Sequence, residues 1–128
     1  MVRKLSIKVK ERSISSGEAA FIIAEISANH HQDFSQAVGL IRRAKEAGAD
    51  AVKLQTYTPD TLTIPSNRQE FQISGGTPWD GKTLYNLYTE AYMPWEWQPK
   101  LKKIADDLGI TLFSTPYDRT AVDFLAEG

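Results

Sequence analysis

The stretch FIIAEIS at residues 21–27, followed by AVKLQTY at residues 51–57, decides the fold class of this sequence. Both stretches are largely apolar on both faces, as strands of a helix-covered parallel sheet are. Between them, Asp33 offers an N-cap, apolar residues follow at helical spacing, and Gly48 suits a helix C-terminus. A strand, a helix and a second strand joined by short turns predict a right-handed parallel β-α-β unit.

The same pattern continues towards the C-terminus. Pro94 suits a helix start, and the apolar stripe that follows it is closed by Gly109. Residues 110–115 predict a third strand, after which Asp118 caps a last helical segment. The order β-α-β-α-β-α is typical of a parallel α/β fold.

Two further segments complete the predicted organisation. Alternating polarity and turn residues near the N-terminus predict a short β-hairpin arm in residues 1–20, ahead of a main fold in residues 21–128. Residues 58–93 form a long, aromatic-rich insertion where a βα connection usually has about 2–6 residues. Loops at this position build the active site in α/β barrels. The alternative is a decorative insertion or an oligomer contact.

Composition narrows the class of protein. The 128 residues include 15 basic and 16 acidic side chains, a net charge of −1, and no block of like charge. A nucleic-acid or anionic-membrane partner therefore has no electrostatic footprint. No apolar run approaches the roughly 18 residues of a membrane span, and the basic N-terminus lacks the apolar core of a secretory signal. The sequence has no cysteine, which excludes thiol chemistry and fits a cytoplasmic protein.

Charged and polar side chains fall on one face of the predicted strands. Strand alternation puts Glu25, Lys53, Gln55 and Thr115 on a mixed face near the carboxyl ends, and leaves an apolar face, Ile22 included, for the helices. A lysine accompanied by an amide and a hydroxyl can bind an anion through charge and directional hydrogen bonds. A structural ion pair between the glutamate and the lysine, without catalytic duty, is the alternative.

Other candidates lie just after the strands. Asn29, His30 and His31 follow the first strand, and adjacent histidines can bind metal, but no second cluster completes a coordination shell. An asparagine-supported turn and a solvated loop are the alternatives. Ser114, next to Thr115, is a further site candidate, and a simple strand-to-turn transition is its alternative.

Four segments, in order, resemble the N-acetylneuraminate (sialic acid) synthase family. They are FIIAEISANH at residues 21–30, GADAVKLQTY at residues 48–57, LFSTPYD at residues 112–118, and residues 81–97, which contain GKTLY and AYMPWEW. The last segment is similar to the pseudaminic acid synthase branch in particular. A single motif of this kind is weak, but the four together at plausible spacing are fairly specific.

The resemblance implies the N-terminal portion of a TIM (β/α)₈ barrel that is followed in the family by a small antifreeze-like domain. It implies a cytoplasmic, homodimeric transferase of nonulosonic acid and polysaccharide biosynthesis. Such an enzyme condenses phosphoenolpyruvate with an N-acylated amino sugar, either a 2,4-diacetamido-trideoxyhexose or N-acetylmannosamine. It also implies a divalent metal, manganese or magnesium, with ligands on later strands beyond Gly128 and none in this chain.

Roles for individual residues follow from the resemblance. Lys53 and Thr115 resemble residues that hold the carboxylate of phosphoenolpyruvate, and Gln55 resembles a neighbouring site residue. Glu25 resembles the active-site glutamate, which we expect to orient substrate or water. By the same resemblance, Asn29 and His30 become expected walls of the substrate site.

Length sets a last expectation. A closed barrel of this type needs eight strands and about 250 residues, and three strands cannot close. We therefore expect an N-terminal fragment that is inactive alone. The alternative from another class of protein is a truncated, non-catalytic α/β module that only binds or associates.

Overall fold

Two separate sheets and five helices make up the structure, a computed structural model that describes residues 5–127. Residues 1–4 of the predicted arm, and Gly128, lie outside the described residues. The strands are β1 Ser6–Val9, β2 Arg12–Ser15, β3 Ile23–Glu25, β4 Ala51–Thr56 and β5 Thr111–Pro116. The helices are α1 Phe34–Glu46, α2 Pro59–Leu62, α3 Leu84–Ala91, α4 Gln98–Asp107 and α5 Arg119–Glu127, with 3₁₀ turns at Gln69–Phe71 and Trp95–Trp97.

The main sheet has the predicted parallel topology. Its order is β3-β4-β5, so strands that are consecutive in the sequence are neighbours in the sheet. The connection from β3 to β4 contains α1, and the connection from β4 to β5 contains the insertion and α4. This arrangement confirms the α/β class and the three parallel strands.

Helix α1 begins and ends where the sequence predicts. The carboxylate of Asp33 accepts hydrogen bonds from the backbone N–H groups of Ser35 and Gln36, which otherwise have no partner in the first turn. Gly48 follows the helix with φ of 87°, a left-handed conformation that glycine adopts without steric cost. The chain can therefore turn directly into β4.

The core lies between one face of the main sheet and helices α1 and α4. Its residues alternate along β4 and β5 and recur at helical spacing in the helices, as period 2 and period 3.6 require. On the opposite face Ile23 and Phe113 are exposed, and α3 packs against Tyr57, one residue beyond the end of β4. The buried core residues are Ile26, Ala37, Ile41, Val52, Leu54, Met93, Leu101, Ala105, Ile110 and Leu112.

Strand β3 is shorter than its apolar sequence predicts, and Ile22 lies outside it. Ile22 is exposed, so its predicted place beneath the helices is wrong. Its carbonyl accepts from the N–H groups of Asp50 and Ala51, and its own N–H donates to the Asp50 carboxylate at 2.7 Å. These bonds hold the residue at the amino end of the sheet, where no helix covers its side chain.

The hairpin is attached at the same end. β1 and β2 pair antiparallel, and the Arg12 guanidinium forms an ion pair with the Asp50 carboxylate at 2.6 Å. Because Asp50 immediately precedes β4, this contact ties the arm to the amino end of the main sheet, opposite the predicted site.

The insertion packs at the carboxyl end. The ring of Tyr88, in α3, contacts the ring of Tyr57 with centroids 5.8 Å apart. Just after the insertion, the indole N–H of Trp95 donates to the Tyr57 carbonyl at 3.0 Å. None of the helices in residues 5–127 is both long enough and apolar enough to cross a membrane.

Candidate functional site

The uncovered face of the main sheet carries the predicted site. The parallel register aligns Glu25 with Lys53, and Gln55 with Thr115 one level closer to the carboxyl ends. Residues paired in this way point to the same side of a sheet. The Nζ atom of Lys53 lies 2.6 Å from Oε1 of Glu25. Four of the predicted site residues therefore share one surface.

The ion pair on this surface is only partly shielded from water. The side chain of Glu25 is 58% exposed and that of Lys53 is 26% exposed. Exposed ion pairs contribute about 0–1 kcal/mol to stability. Within residues 5–127 the pair therefore contributes little to stability, and both a structural ion pair and a binding role for Lys53 remain open on this observation.

Hydrogen-bonding capacity remains free beside the ion pair. An ammonium group has three donors, and the one partner of Lys53 within residues 5–127 is Glu25. In the same part of the chain, the side chains of Gln55 and Thr115 make no hydrogen bond of their own. A cation, an amide and a hydroxyl therefore converge with donors available for a small anion such as a carboxylate.

Ser114 faces the other way. It is aligned with Leu54, and its hydroxyl lies 2.6 Å from the hydroxyl of Thr56, which donates to Oε1 of Gln98 at 2.9 Å. This network lies between the sheet and α4. The predicted place of Ser114 beside Thr115 in the site does not hold, because adjacent strand residues point to opposite faces.

His30 is also turned away from the uncovered face. Its side chain is buried, its Nδ1 atom accepts from the backbone N–H of Gln32 at 2.9 Å, and its ring packs edge-on against Trp97. Burial, and to a lesser extent the neighbouring His31, lower the pKa of His30. The structure thus places His30 in the packing between the β3–α1 loop and the start of α4, where burial disfavours its protonated form.

Asn29 stays at the surface of the same loop. It is exposed, and its side-chain amide donates to the carbonyl of Ile26 at 3.0 Å, immediately after β3. This bond supports the turn, as the alternative interpretation of the sequence proposed. It leaves the amide oxygen free towards solvent.

Sequence reasoning missed the aromatic side chains at the carboxyl ends of the strands. Tyr57 and Tyr117 directly follow β4 and β5, and their rings are 5.4 Å apart in an edge-to-face arrangement. Strand alternation carried one step beyond Gln55 and Thr115 was the signal that pointed to them.

Metal ligands are not grouped in this part of the chain. Within residues 5–127 no three histidine, aspartate or glutamate side chains lie close enough together to hold an ion. The charged group of the site is the Glu25–Lys53 pair alone.

Fold and site together define a class: a parallel α/β protein with a polar, cation-bearing surface at the carboxyl ends of its strands. Within that class, the sequence profile of the NeuB family matches residues 40–128. The chain belongs to the NeuB family.

Similar proteins carry names of sialic-acid-type synthases. The chain is 45% identical over 113 residues to the pseudaminic acid synthase of Campylobacter jejuni. This match covers 88% of the chain and 33% of that protein. It is 37% identical to the N,N'-diacetyllegionaminic acid synthase of Legionella pneumophila, covering 86% of the chain and 31% of that protein.

A solved structure shows the same fold. The N-acetylneuraminic acid synthetase of Leptospira borgpetersenii, in complex with citrate, matches 97% of the chain and 38% of its own length, with a TM-score of 0.77 and 26% identity. The chain spans about a third of the length of the curated relatives it matches.

Proposed function

We propose that the protein carrying this chain condenses phosphoenolpyruvate with an N-acylated amino sugar to give a nonulosonic acid and phosphate. The observation that carries the proposal is the grouping of Lys53, Gln55 and Thr115 on one uncovered sheet face at the carboxyl ends of adjacent parallel strands. Parallel α/β proteins bind their ligands at this end of the sheet.

Several relatives support the reaction class. Proteins named as pseudaminic, legionaminic and N-acetylneuraminate-9-phosphate synthases share 45%, 37% and 32% identity with the chain. Their named products are all nonulosonic acids, which differ in the amino sugar from which they are made. The higher identity to pseudaminic acid synthases favours a 2,4-diacetamido-trideoxyhexose over N-acetylmannosamine as the substrate.

The site suits the proposed chemistry. The enol carbon of phosphoenolpyruvate forms a C–C bond to the aldehyde carbon of the open-chain sugar, and the aldehyde oxygen takes up a proton. Water adds to the resulting cationic C2 and loses a proton; phosphate then leaves by C–O cleavage as the C2 hydroxyl loses its proton and becomes the carbonyl of the product. In this scheme Lys53 and Thr115 hold the carboxylate of phosphoenolpyruvate, Gln55 lies beside it, and Glu25 orients the sugar or the attacking water.

We further propose that the uncovered face becomes the interior of a (β/α)₈ barrel. Ile23 and Phe113 lie exposed on this face although both are large and apolar, and no described strand pairs with the outer edge of β3 or β5. Barrel closure would bury these side chains and leave no open edge.

We propose that the reaction also needs a divalent metal ion, manganese or magnesium, and that residues outside this chain bind it. Its chemistry would be to polarise the aldehyde as a Lewis acid. Residues 5–127 contain no group of three ligating side chains close enough to hold an ion, and we propose that the ligands come from later strands of the protein. No step above is assigned to it.

The reaction can be tested on the polypeptide encoded by the complete reading frame that contains this sequence. Phosphate release would be measured with phosphoenolpyruvate and each of the two candidate sugars, using phosphoenolpyruvate labelled with ¹⁸O at the bridging oxygen. C–O cleavage sends the label into phosphate. The proposal would be contradicted if neither sugar led to phosphate release, or if the released phosphate did not carry the label.

Lys53 provides the sharpest test at the level of one residue. Lys53→Ala in the same polypeptide removes a charge-assisted hydrogen bond to the carboxylate, so we expect the dissociation constant of phosphoenolpyruvate to rise about 10- to 100-fold. Isothermal titration calorimetry measures it. The matched control is Lys103→Ala, whose lysine pairs with Asp107 on the exposed surface of α4. Equal affinity in wild type and Lys53→Ala would remove Lys53 from the site.

A further inference from the structure

The feature that goes beyond the proposed reaction is a pair of tyrosines above the polar site. The backbone N–H of Tyr117 donates to the carbonyl of Thr56, the last residue of β4, at 3.2 Å, so the pairing of the two strands continues one residue past the end of β5. The rings of Tyr57 and Tyr117 meet edge-to-face at 5.4 Å. Both tyrosines are therefore placed by the sheet itself.

The tyrosines form the last of three levels on the uncovered face. The register places Lys53 and Gln55 on β4 and Thr115 on β5. Tyr57 and Tyr117 lie one residue beyond the strand ends, where continued alternation puts them on the same side. Towards the carboxyl ends, the charged Lys53 is followed by the hydrogen-bonding level of Gln55 and Thr115, and then by the two tyrosine rings. At about 7 Å for each two-residue step, the aromatic level lies about 13 Å beyond Lys53 along the sheet. A distance of this order exceeds the length of phosphoenolpyruvate alone, so a second ligand bound beyond it would reach the aromatic level.

The two rings differ in accessibility. Tyr57 is 5% exposed, because it lies between Tyr117 and Tyr88 of α3. Burial, with Tyr117 and then Tyr88 contributing, raises the pKa of Tyr57 to about 12, so this phenol stays neutral near neutral pH. Tyr117 is 42% exposed. Its ring is supported on one side by Tyr57 and open on the other, which makes it a preorganised apolar surface.

We propose that Tyr117 contacts the amino sugar and sets a preference for the 2,4-diacetamido-trideoxyhexose over N-acetylmannosamine. This inference rests on the proposed function. The two acetamido methyl groups and the deoxygenated C6 of the first sugar present more C–H surface to a ring than the hydroxyl-rich second sugar does. Tyr57 is the positioning residue that keeps the ring in place.

The experiment uses steady-state kinetics of the complete gene product and three variants. Tyr117→Ala removes the ring, and Tyr117→Phe keeps it without the hydroxyl. Val122→Ala is the control, since it shortens a similarly exposed apolar side chain, 49% exposed, on α5. For Tyr117→Ala we expect the KM of the diacetamido sugar to rise about tenfold, as an aromatic contact of about 1.4 kcal/mol predicts. The KM of phosphoenolpyruvate should be unchanged.

The ratio of kcat/KM between the two sugars should also fall in Tyr117→Ala and stay near wild type in Tyr117→Phe. An unchanged KM of the diacetamido sugar in Tyr117→Ala would overturn the packing role. So would an equal rise of that KM in Val122→Ala or in Tyr117→Phe. In each case, turnover by the wild type would leave the proposed function standing. Absence of turnover with either sugar in the wild type would remove both.

Discussion

At the scale of single residues, Ser114 and Thr115 separate packing from binding. They are neighbours in β5, yet Ser114 contacts Thr56 on the helix-covered face while Thr115 is aligned with Gln55 on the uncovered face. A half-buried hydroxyl bonded within a network serves stability, whereas a hydroxyl on the uncovered face with no partner among the described residues is available to a ligand. Two adjacent substitutions should therefore have opposite profiles.

For Ser114→Ala we expect a loss of about 1 kcal/mol in the free energy of unfolding, because one hydrogen bond of the network is removed. The KM of phosphoenolpyruvate should not change. For Thr115→Ala we expect stability near wild type and a KM raised by about tenfold, the equivalent of one hydrogen bond to a charged group. Denaturant unfolding and steady-state kinetics of both variants measure this. If the two variants changed stability and the KM of phosphoenolpyruvate alike, Ser114 and Thr115 would not lie on opposite faces of β5 as described.

His30 gives the protein a pH-dependent stability. Its pKa in the folded state is lowered, chiefly by burial. The unfolded chain takes up a proton at about pH 6.5 and the folded chain only at lower pH, so stability falls as pH drops below about 6.5. Above that pH both states are neutral at this position and the effect vanishes.

We expect the unfolding midpoint temperature to fall between pH 7.5 and pH 5.5 and this slope to flatten in His30→Asn, which keeps an acceptor for the Gln32 N–H. Differential scanning calorimetry measures the slope. His31→Asn is the comparison: His31 is exposed, its φ of 48° is tolerated by asparagine, and it contributes less than burial to the lowered pKa of His30, so most of the slope should remain. A wild-type slope in His30→Asn would show that His30 is not the group responsible.

At the scale of elements, helix α1 shows two glycines with opposite requirements. Gly48 ends the helix with φ of 87°, whereas Gly39 lies inside the helix, and a Cβ atom there would meet no atom within 4 Å. A side chain is strained at the first position and free of clashes at the second. Glycine is thus needed at only one of them.

Gly48→Ala should lower the free energy of unfolding by about 1 kcal/mol, and Gly39→Ala should raise it by about 1 kcal/mol. Urea unfolding of both variants beside the wild type tests the pair. A stabilising Gly48→Ala would mean that the turn into β4 does not need a left-handed residue.

At the scale of the whole molecule, the main sheet is half covered. Helices cover one face, while Ile23 and Phe113 lie exposed on the other and both outer strands keep an edge unpaired in the described residues. Exposed apolar surface and free edges promote association. The 128-residue chain expressed alone is therefore expected to self-associate.

Size-exclusion chromatography with light scattering should report a mass above that of the monomer that rises with concentration. Phe113→Lys, which places a charge on the open face, should reduce it. A concentration-independent monomer that melts cooperatively would instead favour a self-contained binding module, the alternative to a part of a synthase.

The sequence by itself determined the parallel α/β fold, the start and end of α1, and the face shared by Glu25, Lys53, Gln55 and Thr115. These features depend on local periodicity, capping and strand alternation, which are visible in a linear sequence. The family followed from four short motifs in order, and the profile match confirmed it.

Only the tertiary structure decided the burial of His30, the exposure of Ile22, the contact of Ser114 with Thr56, and the meeting of Tyr57 with Tyr88 and Tyr117. Each depends on where strands end and on which segment packs against them. Those contacts join residues far apart in the chain, so no local pattern encodes them. For the same reason, alternation could indicate a face but not which polar groups on it would remain free for a ligand.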